Sequence, residues 1–313
     1  MKVGSLFSGV GGLDLGFERQ GFSISWACDK ERSCRKVLAK HFPSATIYED
    51  VKTIDPLTAS PVDVVICGFP CQDLSTGGQR KGLAGERSGL FYEFIRIVRD
   101  MPTRPSFVVV ENVPGMLTSN NGRDFGIVLN EMVKQWSPKS IAWRLLDSRF
   151  FGVPQRRERV FVVADLRGER ASEVLDLKTD MRRDTRARTT TGKNSVSTFN
   201  PLFDEYVEHY PQPIRKSRKA QSNKDFETWV ETEYSNTLNL FDVGQRSSVL
   251  VLENPNVVRY LTPLEWERLQ GFPDGWTEGL SDRARYCQMG NAVTVNVAEW
   301  VAKRIKRITK EQL

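Results

Sequence analysis

The chain is poor in the residues that build metal sites and disulfide frameworks. Its 313 residues include two histidines, His41 and His209, and five scattered cysteines. No CxxC pair occurs, so a zinc site has almost no ligands available, and we expect no metal. An odd number of scattered cysteines argues against a disulfide framework. No G-x-S-x-G motif accompanies either histidine, which leaves little room for a Ser-His-Asp hydrolase.

Long hydrophobic runs are also missing. The apolar run over residues 62–70 is interrupted by Asp63 and is far too short to span a bilayer. The opening MKVGSLFSGVGG is typical of a strand that enters a glycine turn, not of a signal peptide. With 39% hydrophobic and 27% charged residues, the composition is that of a globular protein. We therefore expect a cytoplasmic protein, with no membrane partner, that has one large domain and a smaller one.

The excess positive charge is concentrated in one segment. The net charge is +6, and residues 178–224 alone hold eleven basic and five acidic side chains. A local basic block favours a polyanionic partner, because neutralising phosphates releases counterions. A solvated linker explains the charge equally well at this point.

The first half of the chain alternates predicted strands and helices. Short apolar runs predict strands, and amphipathic stretches predict helices between them. The predicted strands are residues 3–7, 22–28, 62–67, 107–110 and 160–163. One predicted helix ends at residue 19, and two others cover residues 31–41 and about 90–99. This order predicts an α/β fold, in which helices cover both faces of a mostly parallel sheet.

The sequence changes character after Leu166. Residues up to about 258 are polar and basic without clear helical periodicity, and they end in an apolar run over 248–252. Thr262, Pro263 and Glu265 then match the cap, first turn and third position of a helix start. A final helix is predicted over residues 293–308.

The turn after the first strand, FSGVGG, lies where a nucleotide-like cofactor binds in α/β sheets. Glycines allow a ligand to approach the backbone, and the following helix offers free N–H groups. Asp29 stands about 20 positions further on, at the end of the second strand, where a ribose partner is usual. Asp50 follows the next strand-like segment and could contact an adenine edge. A plain tight turn and two surface carboxylates remain the alternative.

The sequence GFPCQ is the sharpest local feature. Cys71 follows a buried strand and a proline, which exposes it at the edge of the sheet where such folds bind ligands. Residues 72–89 contain five glycines and could act as a lid. The basic residues Arg80, Lys81 and Arg87 would favour a thiolate or a phosphate backbone. Most free cysteines are inert, and we expect this of the other four, Cys28, Cys34, Cys67 and Cys287.

Two further segments point to the same edge. Glu111 directly follows the strand over 107–110, so it should lie beside Cys71 on a neighbouring strand end. A partly desolvated carboxyl there has a raised pKa and can act as an acid. In QRRER, Arg157 and Arg159 alternate and should point the same way, although a salt-bridged strand entrance would explain them too.

Taken together, these segments resemble a known family. FSGVGG, GFPCQ, ENV, QRRERVF, RYLTPLEWERLQGFPD and QMGNAVTVNV occur in this order. They resemble the cytosine-C5 DNA methyltransferases, S-adenosylmethionine-dependent enzymes of bacteria and phages. The match covers nearly all of the chain except about residues 170–258. It implies a Rossmann-like methyltransferase sheet with helices on both faces, plus a smaller target recognition domain.

The resemblance implies a covalent mechanism. Cys71 would add to C6 of a cytosine flipped out of duplex DNA, and C5 would then take the methyl group. Glu111 would protonate N3, while Arg157 and Arg159 would hold O2 and orient Glu111. A tRNA-modifying branch of the family is the first alternative, but its late Cys-Phe-Thr is not found at Cys287, which Gln288 follows. A DNA-binding protein without catalysis is disfavoured because all four residues are present, and a nicotinamide enzyme would explain only the first βαβ unit.

The resemblance also implies a cofactor pocket and DNA contacts. Asp29 would bind the ribose in place of the family's usual Glu, which is one methylene longer. The residues implied for S-adenosylmethionine are Phe7, Gly9, Gly11, Asp29, Asp50, Val51, Pro70, Leu90, Asn291 and Val293, and those implied for DNA are Ser75, Gln79, Arg80, Lys81, Thr237 and Leu238.

The expected domains and partners follow from the same match. Residues 1–170 and 285–313 would form the catalytic and cofactor-binding domain, and residues 171–284 the target recognition domain. The basic segment then meets double-stranded DNA, where phosphate contacts position and base contacts specify. We expect a monomer, with a separately acting cognate restriction endonuclease as a partner if the protein belongs to a restriction-modification system. The variable segment has no readable code for the recognised DNA sequence.

Overall fold

The computed structural model describes most of the chain. The described residues are 1–70, 89–177, 212–218, 228–231, 234–235, 237–238, 249–254 and 257–311.

Strands and helices alternate through the described N-terminal half, and helices dominate the C-terminal part. The strands are β1 (Lys2–Leu6), β2 (Ser23–Cys28), β3 (Thr46–Tyr48), β4 (Val64–Cys67), β5 (Phe107–Asn112), β6 (Ser140–Asp147), β7 (Glu158–Asp165), β8 (Gln212–Arg218), β9 (Thr228–Glu231), β10 (Val249–Asn254) and β11 (Val257–Tyr260). The α-helices are α1 (Gly12–Arg19), α2 (Arg32–His41), α3 (Gly89–Asp100), α4 (Gly115–Thr118), α5 (Arg123–Trp136), α6 (Ala171–Val174), α7 (Pro263–Leu269), α8 (Asp282–Asn291) and α9 (Val295–Lys310).

Seven strands form the main sheet, in the order β3-β2-β1-β4-β5-β7-β6. Neighbours from β3 to β5 run parallel, and β7 runs antiparallel to both β5 and β6. The predicted α/β fold is therefore confirmed, with one reversed strand. Because β1, β4 and β5 are adjacent and parallel, the loops that follow them meet at one edge.

Both faces of the sheet are buried, which explains the continuous apolar runs. In β5, Phe107 and Val109 pack into one core cluster, while Val108 and Val110 pack into the other. Each fully buried aliphatic side chain contributes roughly 1.5–3 kcal/mol relative to exposure. The first cluster joins α1 and α9 to the sheet; a Cβ at Gly16 would lie 2.5 Å from the Cβ of Ala298, so these helices touch almost backbone to backbone.

A second, four-stranded sheet lies in the basic part of the chain. Its order is β11-β10-β8-β9, and all its described pairs are antiparallel. The sequence predicted no strand in β8 or β9, since QPIRKSR and TWVE lack an apolar run.

The main core extends into the segment predicted as the recognition domain. Ala171 and Val174 at its start, and Leu261, Trp266 and Trp276 towards its end, are buried in the same cluster as α1 and α9. The predicted boundaries at 171 and 284 therefore divide residues that share one core.

Helix α7 begins as the sequence predicted. The Thr262 hydroxyl accepts a hydrogen bond from the Glu265 N–H, and the Glu265 carboxylate accepts one from the Thr262 N–H. Among the described residues, no helix is both long and apolar enough to cross a membrane.

Candidate active site

The loops after β1, β4 and β5 bring three of the singled-out segments together. The turn from Phe7 to Gly12 follows β1, Gly68–Pro70 follows β4, and Glu111 lies at the end of β5. Gly68 donates its N–H to the Leu6 carbonyl at 3.2 Å, and a Cβ on Gly68 would lie 3.6 Å from Glu111 Oε2. The site is therefore a direct product of the strand order.

Glu111 is a buried carboxyl held by an arginine. It is 8% exposed, and Arg159 Nε lies 3.1 Å from its Oε1. Burial raises the pKa of Glu111, and the charges of Arg159 and Arg157 only partly oppose that effect. A buried carboxyl with a raised pKa and a fixed orientation is suited to act as a general acid. Arg159 forms an ion pair with Glu111, and the charge of Arg157 also acts to lower the pKa of that carboxyl.

Asn112 ties the end of β5 to the loop that leads to Cys71. Its side-chain Nδ2 donates to the Phe69 carbonyl at 3.3 Å, and its Oδ1 accepts from the Val113 N–H at 2.8 Å. Asn112 is 2% exposed. Asn112 is part of the ENV segment, but sequence reasoning gave it no role. The signal that could have found it was its position directly after Glu111.

The guanidinium of Arg157 joins three remote segments of the chain. Its Nη1 donates to the Leu238 carbonyl at 2.8 Å, and its Nη2 donates to the carbonyls of Gly290 and Ala292 at 3.1 and 2.7 Å. Arg157 is 2% exposed, and burial lowers its pKa well below the usual value. In this structure it holds backbone together as well as acting on Glu111.

Thr237 and Leu238 are held by the segment that leads into β7. Gln155 accepts from the Leu238 N–H at 3.3 Å and donates to the Leu269 carbonyl at 2.9 Å. The Thr237 hydroxyl donates to the Arg156 carbonyl at 2.6 Å. Leu238 is fully buried. The predicted DNA residues Thr237 and Leu238 are thus anchored directly to QRRER.

The turn after β1 has the backbone of a ligand cradle. Phe7 and Gly9 have φ near +56° and +57°, and Gly11 has φ +85°. Gly9 donates its N–H to Asp29 Oδ2 at 2.8 Å, so the shorter Asp reaches this turn. Burial raises the pKa of Asp29. The turn and the end of β2 are therefore fixed against each other.

The remaining predicted pocket residues lie on several elements around this turn. Asp50 caps a short 3-10 helix by accepting from the Lys52 N–H, and Val51 is buried. Leu90 is half-buried against the core, and Pro70 is exposed.

The C-terminal part of the chain returns to the same turn. A Cβ on Gly12 would lie 2.4 Å from the Val293 carbonyl, so only glycine allows this approach. Trp276 donates its indole N–H to the Val10 carbonyl at 2.8 Å. Asn291 is exposed at the end of α8. The segment around residues 291–293 therefore borders the turn, as expected for a shared pocket.

Comparison with known proteins identifies this arrangement. The model of the C-5 cytosine-specific DNA methylase family matches residues 1–307. The chain belongs to that family. It is a DNA cytosine-5-methyltransferase, and the predicted resemblance is confirmed.

Individual relatives agree along nearly the full length. The chain is 31% identical to the type II methyltransferase M2.BsuMI of Bacillus subtilis over 98% of the chain and 76% of that protein. It is also 31% identical to the type II methyltransferase M.FnuDI of Fusobacterium nucleatum, over 98% of the chain and 94% of that protein. The structure of the Entamoeba histolytica methyltransferase EhMeth, 16% identical, superposes with a TM-score of 0.67 over the whole chain and 99% of that protein.

Several site residues predicted for this methyltransferase lie outside the described residues. They are Cys71, Ser75, Gln79, Arg80 and Lys81. Of the other cysteines, Cys28, Cys34 and Cys67 are buried, and burial raises the pKa of each thiol. Such thiols are poor nucleophiles.

Sequence reasoning missed an aromatic and basic cluster beyond the end of β6. The Arg149 guanidinium lies 4.7 Å from the Tyr234 ring centre and 5.6 Å from that of Phe150. Asp147 accepts hydrogen bonds from Arg149 Nε and Nη2 and fixes it there. Phe150 is 54% exposed. Because β6 and β5 run in the same direction, this cluster lies at the edge of the sheet that carries Glu111. Its only signal in the sequence was the pair Phe150 and Phe151, which precedes QRRER.

Replacing Arg157 tests its role as a backbone clamp. Arg157→Met leaves three buried carbonyls without their donor, so we expect the free energy of unfolding to fall by roughly 3 kcal/mol or more. Arg156→Met is the matched control, because that side chain is 50% exposed and should change stability by less than about 0.5 kcal/mol. Urea unfolding of both variants measures the difference. Equal, small losses in the two variants would contradict the clamp.

Proposed function

We propose that this protein methylates C5 of a cytosine that is flipped out of duplex DNA, through a covalent bond to Cys71. The observation that carries the proposal is the buried Glu111–Arg159 pair, which lies against Gly68 at the start of GFPCQ. Cys71 follows Gly68 by three residues, so a base that meets Glu111 is within reach of that loop. A carboxyl that is 8% exposed does not reach the edge of a stacked base, which supports base flipping.

The chemistry divides between the two residues. The Cys71 thiolate adds to C6 and forms an S–C6 bond, while Glu111 gives its proton to N3. The electron pair released from the C5–C6 double bond makes C5 enamine-like. S-adenosylmethionine, when bound, supplies the electrophilic methyl group. A base then takes the C5 proton, the S–C6 bond breaks to release the Cys71 thiolate, and N3 returns its proton to Glu111, which restores the aromatic ring. Arg159 keeps Glu111 aligned with the base and is proposed to face O2. Arg157, whose Nη groups donate to backbone carbonyls, is proposed to fix this segment and to add positive charge near Glu111.

The turn after β1 fits the methyl donor. A Cβ on Gly9 would meet no atom within 4 Å, so open space borders the turn. Asp14, in the first turn of α1, has a buried carboxylate without a positively charged partner among the described residues. We assign the ribose to Asp29, the adenine to Asp50 and Val51, and the rest of the pocket to Phe7, Gly9, Gly11, Pro70, Leu90, Asn291 and Val293.

The target recognition domain is proposed to span residues 178–260. The core shared by Ala171, Val174 and Leu261 argues for these narrower bounds. The antiparallel sheet β8–β11 and the surplus of basic residues lie inside them. Thr237 and Leu238 would connect this domain to β7, which carries Arg159. The exposed Phe150, beside Arg149, would extend the surface that faces DNA. Ser75, Gln79, Arg80 and Lys81 are assigned to DNA contacts because the family resemblance implies them.

A role in restriction-modification is favoured by the relatives. Two of them, M2.BsuMI and M.FnuDI, are named as type II methyltransferases. We propose that this protein likewise protects DNA from a separately acting cognate endonuclease, and that it acts as a monomer in the cytoplasm.

Replacing Cys71 tests the nucleophile. Cys71→Ser should abolish transfer of labelled methyl groups to DNA, because a serine hydroxyl is far less ionised than a thiol. Binding of S-adenosylmethionine should remain nearly unchanged. Cys287→Ser is the control and should keep activity. Methylation above background by Cys71→Ser would remove this residue from the role.

Exchanging the recognition segment tests the domain assignment. Residues 178–260 are replaced by the corresponding segment of a relative with a different known target. The methylated DNA sequence should change to that of the donor, while the methylated atom stays C5. Sequencing of methylated DNA from expressing cells measures both. A folded chimera that keeps the original target contradicts the assignment.

A further inference from the structure

Asp14 is a buried acid that the proposed mechanism leaves without a task. It occupies the third position of α1, after the glycine turn, and is fully buried. Neither of its carboxylate oxygens forms a hydrogen bond of good geometry among the described residues, although the Ser5 hydroxyl interacts with the carboxylate. An unpaired buried carboxylate is costly unless it binds a proton or a cation.

The surroundings of Asp14 are polar and short of positive charge. The Ser5 hydroxyl is close enough to favour the ionised form, and the Ser8 hydroxyl donates to Ser5 Oγ at 2.7 Å, which links Asp14 to the turn. Asp29 and Glu18 are the charged groups that act on Asp14, and both oppose its ionisation. Burial raises the pKa of Asp14 to about 7, so the carboxyl exchanges its proton near neutral pH.

The helix packed against α1 places its charges elsewhere. On α9, Glu299 pairs with Arg19 and accepts from Gln20, and Lys306 donates to the Gln20 carbonyl. These groups lie at the C-terminal end of α1, whereas Asp14 lies in its first turn. The described part of the chain therefore supplies no cation to Asp14.

The methyl donor carries a positive charge that could pair with Asp14. The first turn of a helix presents N–H donors, which attract a carboxylate. An α-amino acid carries its ammonium on the same carbon as its carboxylate, so an ammonium arrives beside the turn with it. That ammonium needs acceptors, which helix N–H groups are not. Asp14 is a buried acceptor in the first turn of α1, and none of the described residues gives it a positively charged partner.

We propose that Asp14 is the anionic partner of the α-ammonium of S-adenosylmethionine, and that it releases its proton to solvent when the cofactor binds. This inference rests on the proposed assignment of the cofactor to the turn after β1. It deepens that assignment by adding a residue of α1 that the family resemblance did not mark.

Proton release on binding is directly measurable. Isothermal titration calorimetry of the intact protein with S-adenosylmethionine at pH 6.5, in two buffers of different ionisation enthalpy, gives the number of protons released. We expect roughly one half to one proton per cofactor, and a binding constant that weakens below pH 7 by up to about tenfold per pH unit. S-adenosylhomocysteine keeps the ammonium and should release the same number. Methylthioadenosine lacks the amino-acid end and should release none.

Two variants assign the proton to Asp14. Asp14→Asn keeps the size of the side chain but has no proton to lose, so its binding should release none and become independent of pH between 6 and 8. Glu169→Gln removes an exposed carboxyl that does not act on Asp14, so it should behave as the unchanged protein does. Circular dichroism checks that both variants are folded.

The possible outcomes distinguish a failure of the role of Asp14 from a failure of the proposed cofactor site. Cofactor binding without proton release, or equal release with methylthioadenosine, would overturn the role of Asp14 even if Asp14→Asn did not fold. Release that persists in folded Asp14→Asn would overturn it too. Failure of the unchanged protein to bind S-adenosylmethionine would instead overturn the cofactor assignment on which the inference rests.

Discussion

The adjacency of three parallel strands is the constraint on which the site depends. Because β1, β4 and β5 are neighbours that run in one direction, a cofactor turn, the GFPCQ loop and Glu111 reach the same edge without any further device. The reversed strand β7 enters the sheet at this edge and delivers Arg159 to Glu111. The turn proposed to bind the cofactor and the loop proposed to carry the nucleophile thus follow neighbouring strands.

Buried charged groups fix the positions of the segments that meet at this edge of the sheet. Glu111 is paired with Arg159, the Nη groups of Arg157 donate to backbone carbonyls, and Asp14 has no positively charged partner among the described residues. The paired groups fix geometry, because removing either partner leaves a charge or carbonyl exposed to a low-dielectric interior. The unpaired group marks a place where a ligand completes the electrostatics. Arg157 also links Leu238 to the C-terminal end of α8 at Gly290, so the segments proposed to recognise DNA and cofactor are attached to one guanidinium.

The sequence predicted the central strands well because each of them is buried on both faces. Continuous runs such as FVVV and VFVV follow from that burial, and so does the position of Glu111 after a strand. Strand β6 was missed because it lies at the sheet edge and mixes Trp143 and Arg144 with small residues. The structural role of Arg157 could not be foreseen, since its acceptors are backbone carbonyls that no side-chain pattern marks. Helix α5 was missed although Phe125, Val128 and Met132 carried its periodicity.

Trapping the covalent bond to Cys71 tests the account most directly. A duplex that carries the target, identified by sequencing methylated DNA, is prepared with 5-fluorocytosine at the modified position. Fluorine cannot leave as a cation, so release is blocked and the S–C6 bond should persist. We predict a denaturation-resistant protein–DNA adduct that needs S-adenosylmethionine for full yield, and fragmentation of its peptide should place the adduct on Cys71 rather than Cys67. An active preparation that forms no adduct would contradict the covalent route.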